Sequence, residues 1–349
     1  MNHGTLTLLR NILLNAWLLG AGVVVTTCYS GELHRYEDSQ RHMGTRFVLL
    51  FYAPDEELAN QGFQAAFARI AQLEATLSDY DRTSELTQLS RAAPTPHPVE
   101  VSDDLWAVLQ TAGRLSRRTG GAFDVTLGPL TKLWRRTRRR QQPPTPARLR
   151  DARAASGHTA LILHPKRQAV QLLKPDMRLD LGGIAKGYAV DQALRELKRV
   201  GITRALVNAS GDMAASGPPP GKPGWLVGVA PLEPDAPSSV FGHLAHQSIA
   251  TSGDAFQYVE IDRQRYSHIL DPNTGLGLQT RGSVSILADD GMQADAIASA
   301  VSVMGPDKGL KWVRKQPGIE ALVLLKQNGQ VITRQTAGFR QWGSARPSQ

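Results

Sequence analysis

Apolar positions change period along this chain, and the changes mark out its elements. Between Ala59 and Leu77, the residues Phe63, Phe67, Ile70, Leu73 and Leu77 recur three and four apart, predicting an amphipathic helix. Arg46 to Ala53 is a short apolar run read as a strand. Ser102-Asp-Asp opens a second helix with a capping residue and carries it to Arg118. Leu161 to Leu173 reads as a hairpin turning at His164-Pro-Lys-Arg167. Ala205–Asn208 and Trp225–Val229 read as strands, with the Pro/Gly-rich segment from Gly217 to Gly224 as a loop between them. Strands and turns alternate up to Gly291. A helix follows over Gln293–Met304, then a final helix and a hairpin to about Trp342. Strands outnumber helices and many are hairpin-connected. The expected class is therefore α+β, with mixed, largely antiparallel sheets and flanking helices.

One stretch changes period within a few residues. Met177, Leu179 and Leu181 alternate with Arg178 and Asp180 as in a strand, the pattern breaks at Gly182-Gly183, and Val190, Leu194 and Leu197 then recur at helical spacing. Glycines at a helix start permit close backbone approach, and the free N–H groups there favour an anion. Lys186 adds a cation and Asp180 a carboxylate. Alone, the pattern serves packing as readily as phosphate binding. It is neither G-x-x-x-x-G-K-[ST] nor G-x-G-x-x-G, and its acid precedes the glycines, whereas a dinucleotide fold places one about twenty residues after them.

Composition narrows the class. The 349 residues suffice for a substantial core, and the net charge of +9 is arginine-rich, densest at Arg135-Arg-Thr-Arg-Arg-Arg140. That run lacks interleaved aromatic platforms, so no nucleic-acid partner is expected. It reads as a solvated basic loop open to anionic lipid or an acidic partner. Arg10 followed by the apolar Ile12–Val25 reads as an export segment over residues 1–31, too short for a clear membrane span. The only cysteine, Cys28, follows it. It is either the lipidated first residue of a mature lipoprotein or an incidental thiol beside an uncleaved anchor. A single cysteine excludes intrachain disulfides and thiolate metal clusters.

Two further constellations carry chemistry. Asp295 and Ser299 stand at i and i+4 on one helix face, both hard oxygen donors suited to Mg²⁺, although such pairs are also common as plain surface residues. His268 precedes Asp271-Pro-Asn-Thr-Gly275, a rigid turn sequence. A histidine so placed serves equally as a general base or as the cap of a strand end. Without H-E-x-x-H, zinc is not expected. No G-x-S-x-G elbow surrounds Ser210 or Ser252.

The order of Met43-Gly-Thr45, Ser78-Asp-Tyr80, Gly120-Gly-Ala-Phe-Asp124 with Gly128-Pro129, the block from Asp180 to Asp191, Gly211-Asp212, Thr251-Ser-Gly253, Tyr266 to Gly275 and Ala294 to Gly305 resembles the ApbE family of FAD:protein FMN transferases. The resemblance spans roughly Arg41 to Gly305. It implies a T-fold-like domain over residues 32–342, with 343–349 as a tail. It implies Mg²⁺-dependent transfer of FMN from FAD to a Thr or Ser hydroxyl of a target protein, with AMP leaving. It further implies an exported enzyme on the periplasmic side of the inner membrane, acting on a subunit of a membrane redox complex. Carried over by position, Met43, Tyr80, Ala122, Phe123, Asp124, Asp180, Lys186 and Ile269 line the FAD site. The Gly183 carbonyl, Asp295 and Ser299 hold Mg²⁺, and His268 is the base. Two positions depart from the family pattern: Ser299 where threonine is usual, and Ser210 for the first glycine of Gly-Gly-Asp. Two alternatives stay open: an FAD pyrophosphatase that uses water, and a flavin-binding lipoprotein without turnover.

Overall fold

A computed structural model describes residues 32–232, 237–253 and 257–346. The export segment with Cys28 and the last three residues of the tail lie outside these. The spine is a sheet of eight strands: β1 (His34–His42), β2 (Thr45–Ala53), β3 (Ala205–Ala209), β4 (Asp212–Ala215), β5 (Gln247–Gly253), β6 (Gly282–Ala288), β7 (Glu320–Gln327) and β8 (Gln330–Gln335). They lie side by side in chain order, and every neighbouring pair is antiparallel. The helices are α1 (Glu56–Leu77), α2 (Glu85–Arg91), α3 (Asp103–Arg118), α4 (Gly128–Arg140), α5 (Pro146–Ala154), α6 (Ala185–Arg199), α7 (Gly291–Val313) and α8 (Ala337–Trp342). The class expected from the sequence is the one found.

Both faces of the sheet are covered, which explains apolar runs where simple alternation would leave a solvent face. On β2, Phe47, Leu49 and Phe51 enter the core under α1, α6 and α7, while Leu50 and Tyr52 pack beneath Trp225 and Phe339 on the other side. β7 divides likewise, with Ala321, Val323 and Leu325 on the helix side and Leu322 and Leu324 opposite. A third, smaller cluster joins Leu130 and Trp134 of α4 to Val259, Ile261 and Leu270, seating the hairpin Tyr258–Ile261/Gln264–Ser267 and the turn after it.

Four local readings change. Met177–Leu181 is extended and buries Met177, Leu179 and Leu181 as its alternation predicts, yet it is not a sheet strand. Only Arg178 bridges, to Leu127; the Leu179 N–H bonds Ser90 Oγ of α2 and the Asp180 N–H bonds Val125 O of a loop, so these ladder groups are spent outside any sheet. The arginine run is the C-terminal half of α4 rather than a loop, because Leu130, Trp134 and Thr137 bury one helical stripe beneath it. β1 escaped the hydrophobic pattern because it is a mostly exposed edge strand of polar residues. The strand Phe241–Leu244 was likewise not picked out by the apolar pattern, and its His243 side chain is exposed.

Candidate active site

Loops from the sheet, the C-terminal end of α1, the N-terminal end of α6 and one side each of α4 and α7 surround a cleft of about 680 Å³. Met43, Tyr80, Ala122, Phe123, Asp124, Asp180, Gly183, Lys186, His268, Ile269, Asp295 and Ser299 all line it. Positions spread over most of the chain thus converge on one space.

The floor is the crossing of α6 and α7. Gly182-Gly183-Ile184 turns the chain into α6, and Asp180 Oδ1 accepts the Gly182 N–H at 2.8 Å. A side chain on Gly183 would place its Cβ 2.8 Å from Ser299 Oγ and displace that hydroxyl, so glycine here lets the backbone lie against it. One turn on, Gly187 and Gly291 bring the two helices into backbone contact. Asp191 then caps α7 from α6, accepting the Gly291 N–H at 2.7 Å and the Met292 N–H at 2.9 Å. Burial pushes the Asp191 carboxyl up to about 7 against the pull of those two donors.

This crossing sets the charges. Lys186 donates to Asp212, and the Oδ2 of Asp295 lies 3.7 Å from its ammonium and also accepts the Gly187 N–H at 3.2 Å. Asp212 and Asp295 are each 2% exposed. Burial alone would lower the Lys186 pKa, but the two carboxylates more than offset it and hold the ammonium charged. Burial, then the charge of Asp212, push Asp295 upward against Lys186. Asp295 Oδ1 has no hydrogen-bond partner among the described residues, and Ser299 Oγ lies 3.2 Å from Ser252 Oγ. Among the described residues no group of three or more His, Cys, Asp or Glu side chains is placed to hold a metal. A cation here would take one carboxylate, a hydroxyl and backbone oxygen, a donor set that suits Mg²⁺.

His268 stands at the mouth. Its Nδ1 lies 3.0 Å from the Gln257 carbonyl, which can only accept, so Nδ1 is the donor in that bond. The Asn273 N–H bonds Asp271 Oδ1 at 2.9 Å within the following turn, and Trp134 Nε1 donates to Gly275 O at 2.8 Å, tying the turn to α4.

The remaining expected residues form the walls. Met43 holds a left-handed φ of 49°, and Glu74 secures it by accepting its N–H at 2.7 Å. Asp124 lines the cleft, but its oxygens accept Thr126 N–H, Thr126 Oγ1–H and the His158 N–H, so its carboxylate shapes the loop. Ser210 holds φ at 54° where glycine would be unstrained, and its hydroxyl accepts from Thr45.

Four residues to which the sequence assigned no role in the site also line the cleft: Glu74, Asp79, Arg135 and Asp212. Arg135 is the most consequential. It pairs with Asp79, reaches Asp180 Oδ2 at 3.4 Å, and lays its guanidinium 4.1 Å from the Tyr80 ring centre. Its signal was the helical spacing of Thr131, Arg135 and Arg138, concealed by the surrounding arginines. Burial and the nearby Asp180 push Asp79 upward, and Arg135 opposes both.

Several known proteins are similar to this chain over most of its length. A model of the ApbE family matches residues 43–323. The FAD:protein FMN transferase of Haemophilus influenzae is 32% identical over 282 residues, covering 78% of this chain and 81% of that protein. One from Klebsiella pneumoniae is 31% identical over 301 residues, 85% and 92% of the two chains. Among solved structures, the ApbE protein of Thermotoga maritima superposes with a TM-score of 0.80 at 28% identity, covering 89% of this chain and all of that one. The flavinyl transferase ApbE of Pseudomonas stutzeri gives 0.78 at 26% identity, with 90% and 98% coverage.

Proposed function

This chain belongs to the ApbE family, and on that premise we propose that it moves FMN from FAD onto a Thr or Ser hydroxyl of an acceptor protein. The similar proteins named FAD:protein FMN transferase support the reaction class. The observation that carries it here is the shared cleft, where the buried carboxylates of Asp212 and Asp295 flank Lys186 beside a glycine turn and His268 stands at the mouth.

In this reading Met43, Tyr80, Ala122, Phe123, Asp124, Asp180, Lys186 and Ile269 form the FAD site. The acceptor oxygen bonds to the phosphorus on the FMN side of the diphosphate, the bridging P–O bond breaks, and AMP departs. The acceptor proton passes to Nε2 of His268. Lys186 faces the diphosphate with a fixed positive charge. With both carboxylates ionised, one lysine leaves the floor net negative, the wrong sign for a diphosphate. The Gly183 carbonyl, Asp295 and Ser299 would hold Mg²⁺, which when bound neutralises charge on the diphosphate oxygens.

The test combines the purified protein with FAD, Mg²⁺ and a candidate acceptor domain. Flavin fluorescence on the acceptor band after denaturing electrophoresis supports the transferase. Free FMN and AMP without labelled acceptor mean a pyrophosphatase, and neither product means a flavin carrier. His268→Ala should lower transfer by about two to four orders of magnitude, the span for losing a general base, with FAD affinity little changed. A folded variant with near-normal transfer removes the base role. Residues 1–31 are read as directing export toward a membrane redox complex. Cys28→Ser should then shift the protein from the membrane to the soluble exported fraction if Cys28 is lipidated; finding the wild type in the cytoplasm would end the export reading.

A further inference from the structure

We propose that the outer face of α4 is a docking surface for an acidic stretch of the acceptor protein, an inference that rests on the transferase reading. The inner face of α4 borders the cleft through Thr131, Trp134, Arg135 and Arg138. The outer face carries Lys132 and Arg136, exposed and one helical turn apart. Two other segments bring cations to it. The Gly128 N–H donates to Arg178 O at 3.2 Å, and a Cβ on Gly128 would lie 2.8 Å from Arg178 Cβ, so Arg178 is held one turn before Lys132. Arg82 arrives on the loop whose Tyr80 ring lies under Arg135.

Arg82, Lys132, Arg136 and Arg178 have no acidic partner among the described residues, and α4 itself contains neither Asp nor Glu. Arg178 first, then burial, Arg136 and Arg82 hold the Lys132 ammonium below its usual pKa, so these charges repel one another. Helix stability does not account for the cluster. Cations complement the dipole in the last turn, which covers Arg138–Arg140, but Lys132 lies in the first half of the helix and like charges at i, i+4 are unfavourable. An acidic segment seated on this face would relieve the repulsion. Because this face shares its helix with the cleft wall, an acidic segment seated on it keeps its neighbouring residues at the mouth, where the acceptor hydroxyl is needed. A lipid surface has no such requirement.

The test uses the full-length protein and a fluorescein-labelled peptide with one Thr flanked by Asp and Glu, beside a counterpart with Asn and Gln. Fluorescence anisotropy should show the acidic peptide binding at least about tenfold more tightly than the amide one, with the difference shrinking as salt rises. Lys132→Glu/Arg136→Glu should erase that preference, and Lys132→Gln/Arg136→Gln should reduce it part-way. FAD affinity should be unchanged, since neither residue lines the cleft. A wild type indifferent to peptide charge overturns the proposal, as does a charge-reversed variant that keeps the preference. Loss of binding to phosphatidylglycerol vesicles in the variant, with peptide binding intact, also overturns it and makes the face a membrane contact. Peptide discrimination without any FMN transfer would instead sink the transferase reading and leave the surface standing.

Discussion

Gly187→Ala tests whether the crossing of α6 and α7 is the foundation of the cleft. An added Cβ would lie 2.1 Å from the Gly291 carbonyl oxygen, 2.5 Å from its carbon and 2.8 Å from Asp295 Cβ. Ordinary contact begins near 3.4 Å, so the helices must part by roughly 1.3 Å along that line. None of the opposing atoms is the free end of a side chain, so nothing can swing away. Overpacking of this kind costs about 1–3 kcal/mol, and rigid backbone puts this case at the upper end. Alanine's better helix propensity returns about 1 kcal/mol. A net loss of roughly 2 kcal/mol corresponds, for a folded unit of this size, to a fall in melting temperature of about 3 °C. The same separation draws Asp295 away from Lys186, so FAD affinity should fall with stability. Circular-dichroism melts and FAD titration measure the two effects. Gly113→Ala in α3 is the control, because its Cβ meets only Leu163 Cδ1 at 3.2 Å and Arg117 Nη1 at 3.6 Å. It should be neutral or slightly stabilising. A Gly187→Ala protein that melts at or above wild type and binds FAD normally would refute the argument.

Lys186→Met should leave Asp212 and Asp295 buried without their cation, at a cost of about 3–5 kcal/mol near pH 8. Burial and Asp212 already raise Asp295, and losing the ammonium raises it further. A carboxyl whose folded pKa exceeds its unfolded one contributes stability only where it is protonated, so the variant's melting temperature should climb as pH falls from 8 toward 5; a flat profile contradicts the pairing. Asp295→Ala should mimic chelation of Mg²⁺, abolishing turnover while FAD still binds, and full activity at limiting Mg²⁺ would refute the metal assignment. Arg135→Leu removes the charge stacked on Tyr80 and bonded to Asp79, and should weaken FAD binding about tenfold, or ~1.4 kcal/mol. An unchanged dissociation constant would show that Arg135 serves stability alone.

Local signals in the chain were sufficient wherever the controlling physics is local. The three- and four-residue spacing of Phe63 to Leu77, the Ser102 cap, the hairpin at His164–Arg167 and the Asp271–Gly275 turn are each written within a few residues, because propensity, capping and turn chemistry act over that range. The glycine break at 182–183 likewise announced a helix start. What remained hidden depends on partners far along the chain. Whether Met177–Leu181 joins a sheet is decided by Ser90 and Val125, which take its N–H groups. Asp212 becomes part of the floor only when β4 lies beneath α6 and Lys186 reaches it. Arg135 is one arginine among several in the sequence, and it becomes a site residue because Leu130 and Trp134 bury the neighbouring stripe of α4 and aim it at Asp79, Asp180 and Tyr80. Charge type is a property of the residue. Its direction, burial and counter-ion belong to the packed molecule.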